Sequence, residues 1–232
     1  MDFLFFDIEC CDGNHMCSFG YVIADNKFNI LDKKDIIMNP DANFKLGRTG
    51  FNPSIELAYS EEEFKKQPTF SEFYTTIKEL LMSSDRIILG HSVSSDIKYL
   101  QTACQRYKKK PLEITAYDTQ KIFEWFKGED RRYSLKDIIK DLCIDISNIK
   151  QHKSDDDAFL TMFVAKEICY KQKTELIELI RRCKICKVES HDVYNHNIKE
   201  DRLAYSSDEC ENENIFTVMQ QAFQKANGKL KN

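Results

Sequence analysis

The chain has 232 residues, 42% apolar and 31% charged, with a formal net charge of −4. That is material for one well-cored domain with an appendage, or for two small domains. The acidic balance excludes a protein that coats long nucleic acid through a broad basic face, so any nucleic-acid contact is expected to be short and local.

No apolar run reaches the roughly 18 residues of a membrane span, and no secretory leader is read at the N-terminus, so no membrane partner is expected. Nine cysteines, an odd number with Cys10 and Cys11 adjacent, do not read as a disulfide framework. They point to a reducing compartment, and a cytoplasmic location is the expectation.

In chain order, residues 2–8 are short, apolar and aromatic and predict a buried strand. Residues 17–25 predict a second strand, Asp25-Asn26 a turn, and residues 28–37 a third. Residues 39–68, with Gly47, Gly50, Pro53 and Pro68, read as loop. Thr69 caps a predicted helix through Phe73, Ile77, Leu80 and Leu81. Residues 86–89 predict a strand ending at Gly90, and a helix follows from about Ser95.

Residues 112–117 predict a fifth strand, and Asp118-Thr119 caps a helix over 120–126. Ser134 caps another, with Leu135, Ile138, Ile139 and Leu142, and a long helix runs from about Asp155 to Tyr170. This order predicts an α/β domain with a mixed five-stranded sheet flanked by helices, closing near residue 172. Residues 173–232 read as an extension of unknown role: a helix over 175–182, a polar stretch, an acidic linker at 206–214, and a short amphipathic helix with Ile215, Val218, Met219 and Phe223.

Three acidic motifs stand out. Asp7 and Glu9 fall at i and i+2 of the first strand, on one face and ~6–7 Å apart. Two like charges there cost several kcal/mol unless compensated, and a divalent cation is the simplest compensation. The plainer alternative is a solvated strand end. Asp96, in GHSVSSDIKYL, reads as a helix cap or first-turn acid as readily as a ligand. His152 and Asp157, in HKSDDDA, open the long helix. Ser154 with Asp157 is close to a capping box, yet Asp157 heads the apolar face of Ala158, Leu160 and Phe163, and His152 can reach the same place as a general base.

At these residues the chain resembles the DEDDh (DnaQ-like) 3′–5′ exonuclease family of the RNase H-like superfamily. The motifs are FFDIE at 5–9, GHSVSSDIKYL at 90–100 and HKSDDDA at 152–158, within a likeness over about residues 1–172. The resemblance implies an RNase H-like fold and hydrolysis of a 3′-terminal nucleotide from single-stranded DNA or RNA. It implies two Mg2+ or Mn2+ ions per site held by Asp7, Glu9, Asp96 and Asp157, rather than Asp155 or Asp156, with His152 taking the proton of the attacking water. A non-catalytic scaffold serving as a nucleic-acid- or protein-binding module is the alternative; the presence of all five positions argues against it. An RNase H-type endonuclease is disfavoured by the His-x4-Asp spacing. Oligomeric state is not readable, and a homodimer stays open.

The chain departs from the family at Cys10, where Thr is common, at Ser92, where Asn is common, and at Leu57-Ala58, where His-Gly is common. Cys10, Ser92 and Tyr59 are therefore candidate substrate contacts. Tyr59 or Phe51 could stack on a terminal base, although core packing is the commoner role of an aromatic residue. The basic run Arg106, Lys108, Lys109 and Lys110 reads as a phosphate track or as a solvated turn. Cys183, Cys186, His191 and His196 have zinc-knuckle ligand types, but a helix continuing through Cys183 would turn that residue into core.

Overall fold

The aromatic segment near the N-terminus forms β1 (Asp2–Cys10), with antiparallel β2 (Met16–Ala24) beside it and β3 (Ile30–Ile37) outside that. A computed structural model describes residues 1–45, 56–147, 149 and 152–193. On the other side of β1 lie β4 (Arg86–Gly90) and β5 (Thr115–Asp118), both parallel, and then β6 (Lys187–Glu189), antiparallel to β5. The sheet order is β3-β2-β1-β4-β5-β6. The helices are α1 (Glu61–Lys65), α2 (Phe70–Leu81), α3 (Val93–Arg106), α4 (Thr119–Lys127), α5 (Leu135–Leu142), α6 (Ser154–Gln172) and α7 (Leu176–Arg182). Among the described residues no helix is long and apolar enough to cross a membrane.

The five expected strands are present, in a mixed sheet. Two differences have local causes. Within the segment expected as loop, α1 forms because Ser60 and Glu63 make a reciprocal capping box, three acids occupy the first turn, and Phe64 is buried. The sixth strand lies in the stretch expected as a helical extension. Lys187–Glu189 pair with the free edge of β5, and Ser190 Oγ accepts from Ile114 N–H at 3.0 Å. One compact unit runs Met1–His191. The amphipathic segment at 215–223 lies outside the described residues.

All nine residues of β2 are buried, as in a strand covered on both faces. On one face lies α6, whose Ala158 and Met162 share a core cluster with Phe3, Phe5 and Val22. The head of that helix descends onto β2 at Gly20. A Cβ there would lie 2.0 Å from both Ser154 C and Asp155 N, so only glycine admits the helix at this depth. Gly20 is the register partner of Asp7, which sets the start of α6 beside the acidic end of β1.

Gly20→Ala should therefore lift the head of α6 off the sheet. Its overpacking cost of about 1–3 kcal/mol or more should lower the thermal unfolding midpoint by roughly 3–10 °C. A calorimetric midpoint equal to that of the wild type would contradict this packing.

Candidate active site

Asp7 and Glu9 share the face of β1 that carries Phe3 and Phe5 and packs under α6. Strand parity thus turns two acids toward the helix that buries the apolar residues before them. A register shift between Glu9 and Cys10 ends the regular pairing just beyond them.

The α6 head supplies the next pair. His152 lies before the helix in a left-handed conformation, φ 60°. Its backbone N–H donates to Asp157 Oδ2 at 3.0 Å, and its carbonyl accepts from Ala58 N–H at 3.1 Å. His152 Nδ1 stands 3.7 Å from Glu9 Oε1. The expected Ser154–Asp157 capping box does not form. Ser154 Oγ instead donates to Asp35 Oδ1 at 2.8 Å, and Asp157 closes back on His152. Asp155 and Asp156 turn elsewhere: Lys153 lies 2.8 Å from Asp155, and Lys33 pairs with Asp156. Of the three consecutive aspartates, Asp157 is the one that meets Glu9 and His152.

The α3 head supplies the last acid. This helix begins at Val93, two residues before the expected start, so Asp96 is neither cap nor solvated first-turn residue. It is buried at 5% exposure, accepts from the Ile8 backbone N–H, and its Oδ2 has no hydrogen-bond partner. The preceding turn is held open by Ser92 at φ 57°, whose N–H donates to Asp118 Oδ1 at 2.9 Å. The same oxygen accepts Gln120 N–H at 2.9 Å, so one buried carboxylate caps α4 and ties down the β4–α3 turn. His91 is kept neutral by burial, its pKa lowered to about 4, with Nε2 3.3 Å from the Tyr133 carbonyl.

The electrostatics follow from this convergence. Burial pushes the Asp7 carboxyl well above the ordinary range, and Asp96, Glu9 and Asp157 push it further. Burial and Asp118 do the same to Asp96. Asp157 is raised to about 7, first by burial and then by Glu9, while His152 is raised chiefly by its contact with Glu9. Glu9, His152 and Asp157 each bring one ligand atom within 4.8 Å of the others. Hard carboxylate oxygens around a buried, unpartnered Asp96 oxygen, with mutual repulsion and no lysine or arginine among these five residues, fit a divalent cation.

Other expected site residues have other surroundings. Cys10 is buried and its thiol is pushed up by burial. Tyr59 stands edge-on to Phe64, with ring centroids 5.7 Å apart, and beside Asp35. Arg106 is engaged by the Pro40 and Asp41 carbonyls, and Lys109 lies over the Tyr74 ring. Cys183 and Cys186 are fully buried core residues, with Cys183 Sγ directed at the Lys121 carbonyl; His196 and Phe51 lie outside the described residues. Sequence reasoning missed Gly20 and Asp35; it read Asp118 as the cap of α4, which it is, but not its tie to the β4–α3 turn. The signal for Gly20 was available: a glycine inside an apolar strand marks a close backbone approach.

Comparison with known proteins places these observations. The sequence profile described as DNA polymerase III subunit epsilon-like, C-terminal domain (DEDDh) matches residues 18–168, a span that holds Asp96, His152 and Asp157. RNA exonuclease 3 of Schizosaccharomyces pombe is 24% identical over 148 residues, 64% of this chain, and the chain spans only 25% of that protein. The nuclease domain of 3′hExo, a DEDDh family member solved with rAMP, is 17% identical with a TM-score of 0.59, covering 74% of this chain and 91% of that one. E. coli Exonuclease I with a dA16 oligonucleotide is 15% identical with a TM-score of 0.59, covering 78% of this chain and 42% of that one. At these identities the structural likeness establishes the shared RNase H-like fold.

The raised Asp157 has a consequence for stability. Its folded value of about 7 lies above the ~3.9 of an unfolded aspartate, so between the two the folded chain binds more protons. Stability from this group is complete below about pH 3.9 and is lost as pH rises through about 7. In chelator, the unfolding midpoint of the wild type minus that of Asp157→Asn should fall between about pH 4 and about pH 7. A difference that stays constant or rises would contradict the burial of this carboxylate among like charges.

Proposed function

We propose that the chain, which belongs to the DNA polymerase III subunit epsilon-like DEDDh family, is a metal-dependent 3′–5′ exonuclease that removes nucleotides from the 3′ end of single-stranded RNA or DNA. The observation that carries this reading is the meeting of Asp7, Glu9, Asp96, His152 and Asp157 from three separate segments, with Asp7 pushed up by the other acids. The S. pombe relative is named an RNA exonuclease, and the similar solved structures hold rAMP or a dA16 oligonucleotide. These names support a nucleic-acid 3′ end as substrate, with RNA the first to test.

Asp7, Glu9, Asp96 and Asp157 would hold the cations, Mg2+ or Mn2+, through hard oxygen donors. Bound there, divalent ions supply positive charge for the scissile phosphate and lower the pKa of the attacking water. Burial strips Asp7 and Asp96 of ordinary solvation, which favours their neutral forms when no cation is near and strengthens the interaction of their charged forms with a cation. His152 is the general base. Its Nδ1 faces Glu9, so the acid orients the neutral ring with Nε2 open to water and stabilises the imidazolium that forms when Nε2 takes the proton. The left-handed backbone at His152 places the ring beyond the helix head, where its side chain is 39% exposed and a substrate can reach it.

Digestion of 5′-labelled single-stranded RNA and DNA with manganese should give a ladder shrinking from the 3′ end, abolished by chelator. Asp7→Ala should fold yet lose activity, and His152→Ala should lose about 100-fold or more. A fully active Asp7→Ala protein would overturn the assignment.

A further inference from the structure

We infer that Asp35 is a positioning residue that grips the head of α6 from the outer strand β3 and so holds His152 and Asp157 against Glu9. The register places Asp7, Gly20 and Asp35 in one row across β1, β2 and β3. Directly opposed residues of antiparallel strands point to the same face, so the two carboxylates flank a gap in which β2 carries no side chain. Neighbouring strands are about 4.8 Å apart, so this row is roughly 10 Å wide. The backbone of Ser154 and Asp155 fills the gap over Gly20.

The rest of β3 shows that Asp35 is not an ordinary strand-edge acid. Its neighbour Lys34 and the earlier Asp32 are exposed, whereas Asp35 is half-buried. Oδ1 accepts from Ser154 Oγ at 2.8 Å and from Ser18 Oγ, two hydroxyls that are 0% and 2% exposed at the residue level. Two positions earlier on the same face, Lys33 reaches Asp156, and Asp155 at 3.4 Å. β3 thus holds the first turn of α6 at two points, one through hydroxyls and one through an ion pair.

Asp35 also reaches the other side of the His152 hinge. The Tyr59 hydroxyl lies beside its carboxylate, and the adjacent Ala58 donates its N–H to the His152 carbonyl at 3.1 Å. A left-handed φ at a non-glycine residue is unfavourable and persists only where its surroundings fix it. Here the surroundings are the α6 head, through Asp157, and the 56–60 segment, and Asp35 touches both.

The kinetic arm of the test rests on the exonuclease reading; the exchange arm does not. In the full chain with manganese, Asp35→Ala should lower kcat on a labelled oligonucleotide by roughly 10-fold or more with KM little changed. Asp35→Asn, which keeps an acceptor for both hydroxyls, should recover most of that loss. Leu179→Ala, a core truncation in α7, should lower the unfolding midpoint yet keep kcat. By hydrogen exchange, the Asp156 and Asp157 amides, which donate to the Lys153 carbonyl, should lose protection in Asp35→Ala relative to the middle of α6.

Unchanged kcat and protection in Asp35→Ala would overturn the inference, as would an equal kcat loss in Leu179→Ala. Should Asp35→Ala not fold, Ser154→Ala, which removes one of the two hydroxyls, gives the same readouts. A wild type without nuclease activity would sink the exonuclease reading and leave the exchange result to decide this one.

Discussion

Like charges held close in a half-buried space repel one another, and the organisation of this chain around its candidate site follows from that repulsion. Asp7 feels burial first and then Asp96, Glu9 and Asp157, each from a different part of the sequence or the next turn of the strand. Such an arrangement is unfavourable on its own terms. It persists because the sheet, the head of α3 and the head of α6 are each fixed by interactions that do not involve these acids: apolar packing under α6, the Asp118 tie on the β4–α3 turn, and the Lys33 and Asp35 grip on the first turn of α6. The rigid scaffold holds the carboxylates where a divalent cation would relieve them, which is the electrostatic form of a preorganised site.

One feature of the sheet makes this geometry reachable. A helix ordinarily rests on a sheet through the side chains of both. At Gly20 the missing side chain lets the helix backbone itself meet the strand. That descent brings Asp157 down to the level of Glu9 and leaves the left-handed His152 standing at the edge. The three consecutive aspartates at 155–157 then separate by function, because successive helix positions point about 100° apart. Two turn to lysines and one to the site.

Much of this was legible in the sequence. Strand parity alone put Asp7 and Glu9 on one face, and the apolar residues after Asp157 oriented it toward the sheet. The family motifs carried Asp96 and His152, where local reasoning left a cap and a loop histidine as equal readings. Asp96 resisted because its burial depends on where α3 begins. That start is set by a left-handed Ser92 tied to Asp118, 26 residues away. Asp35 was silent, and Ser154 read locally as a cap, for the same reason: a hydrogen bond spanning 119 residues leaves no local periodicity. β6 was missed because a three-residue strand has no pattern of its own and forms by pairing with the edge of β5. The cysteines at 183 and 186 show the opposite case, a ligand-like spacing whose side chains the fold uses as core.

Divalent ions that relieve this repulsion would bind among the four carboxylates. Anomalous diffraction from crystals grown with manganese tests this most directly. Strong peaks bounded by Asp7, Glu9, Asp96 and Asp157 are expected, and they should vanish when Asp7 is replaced by Asn. A well-ordered site with no peak there, or manganese bound only elsewhere on the chain, would contradict such binding.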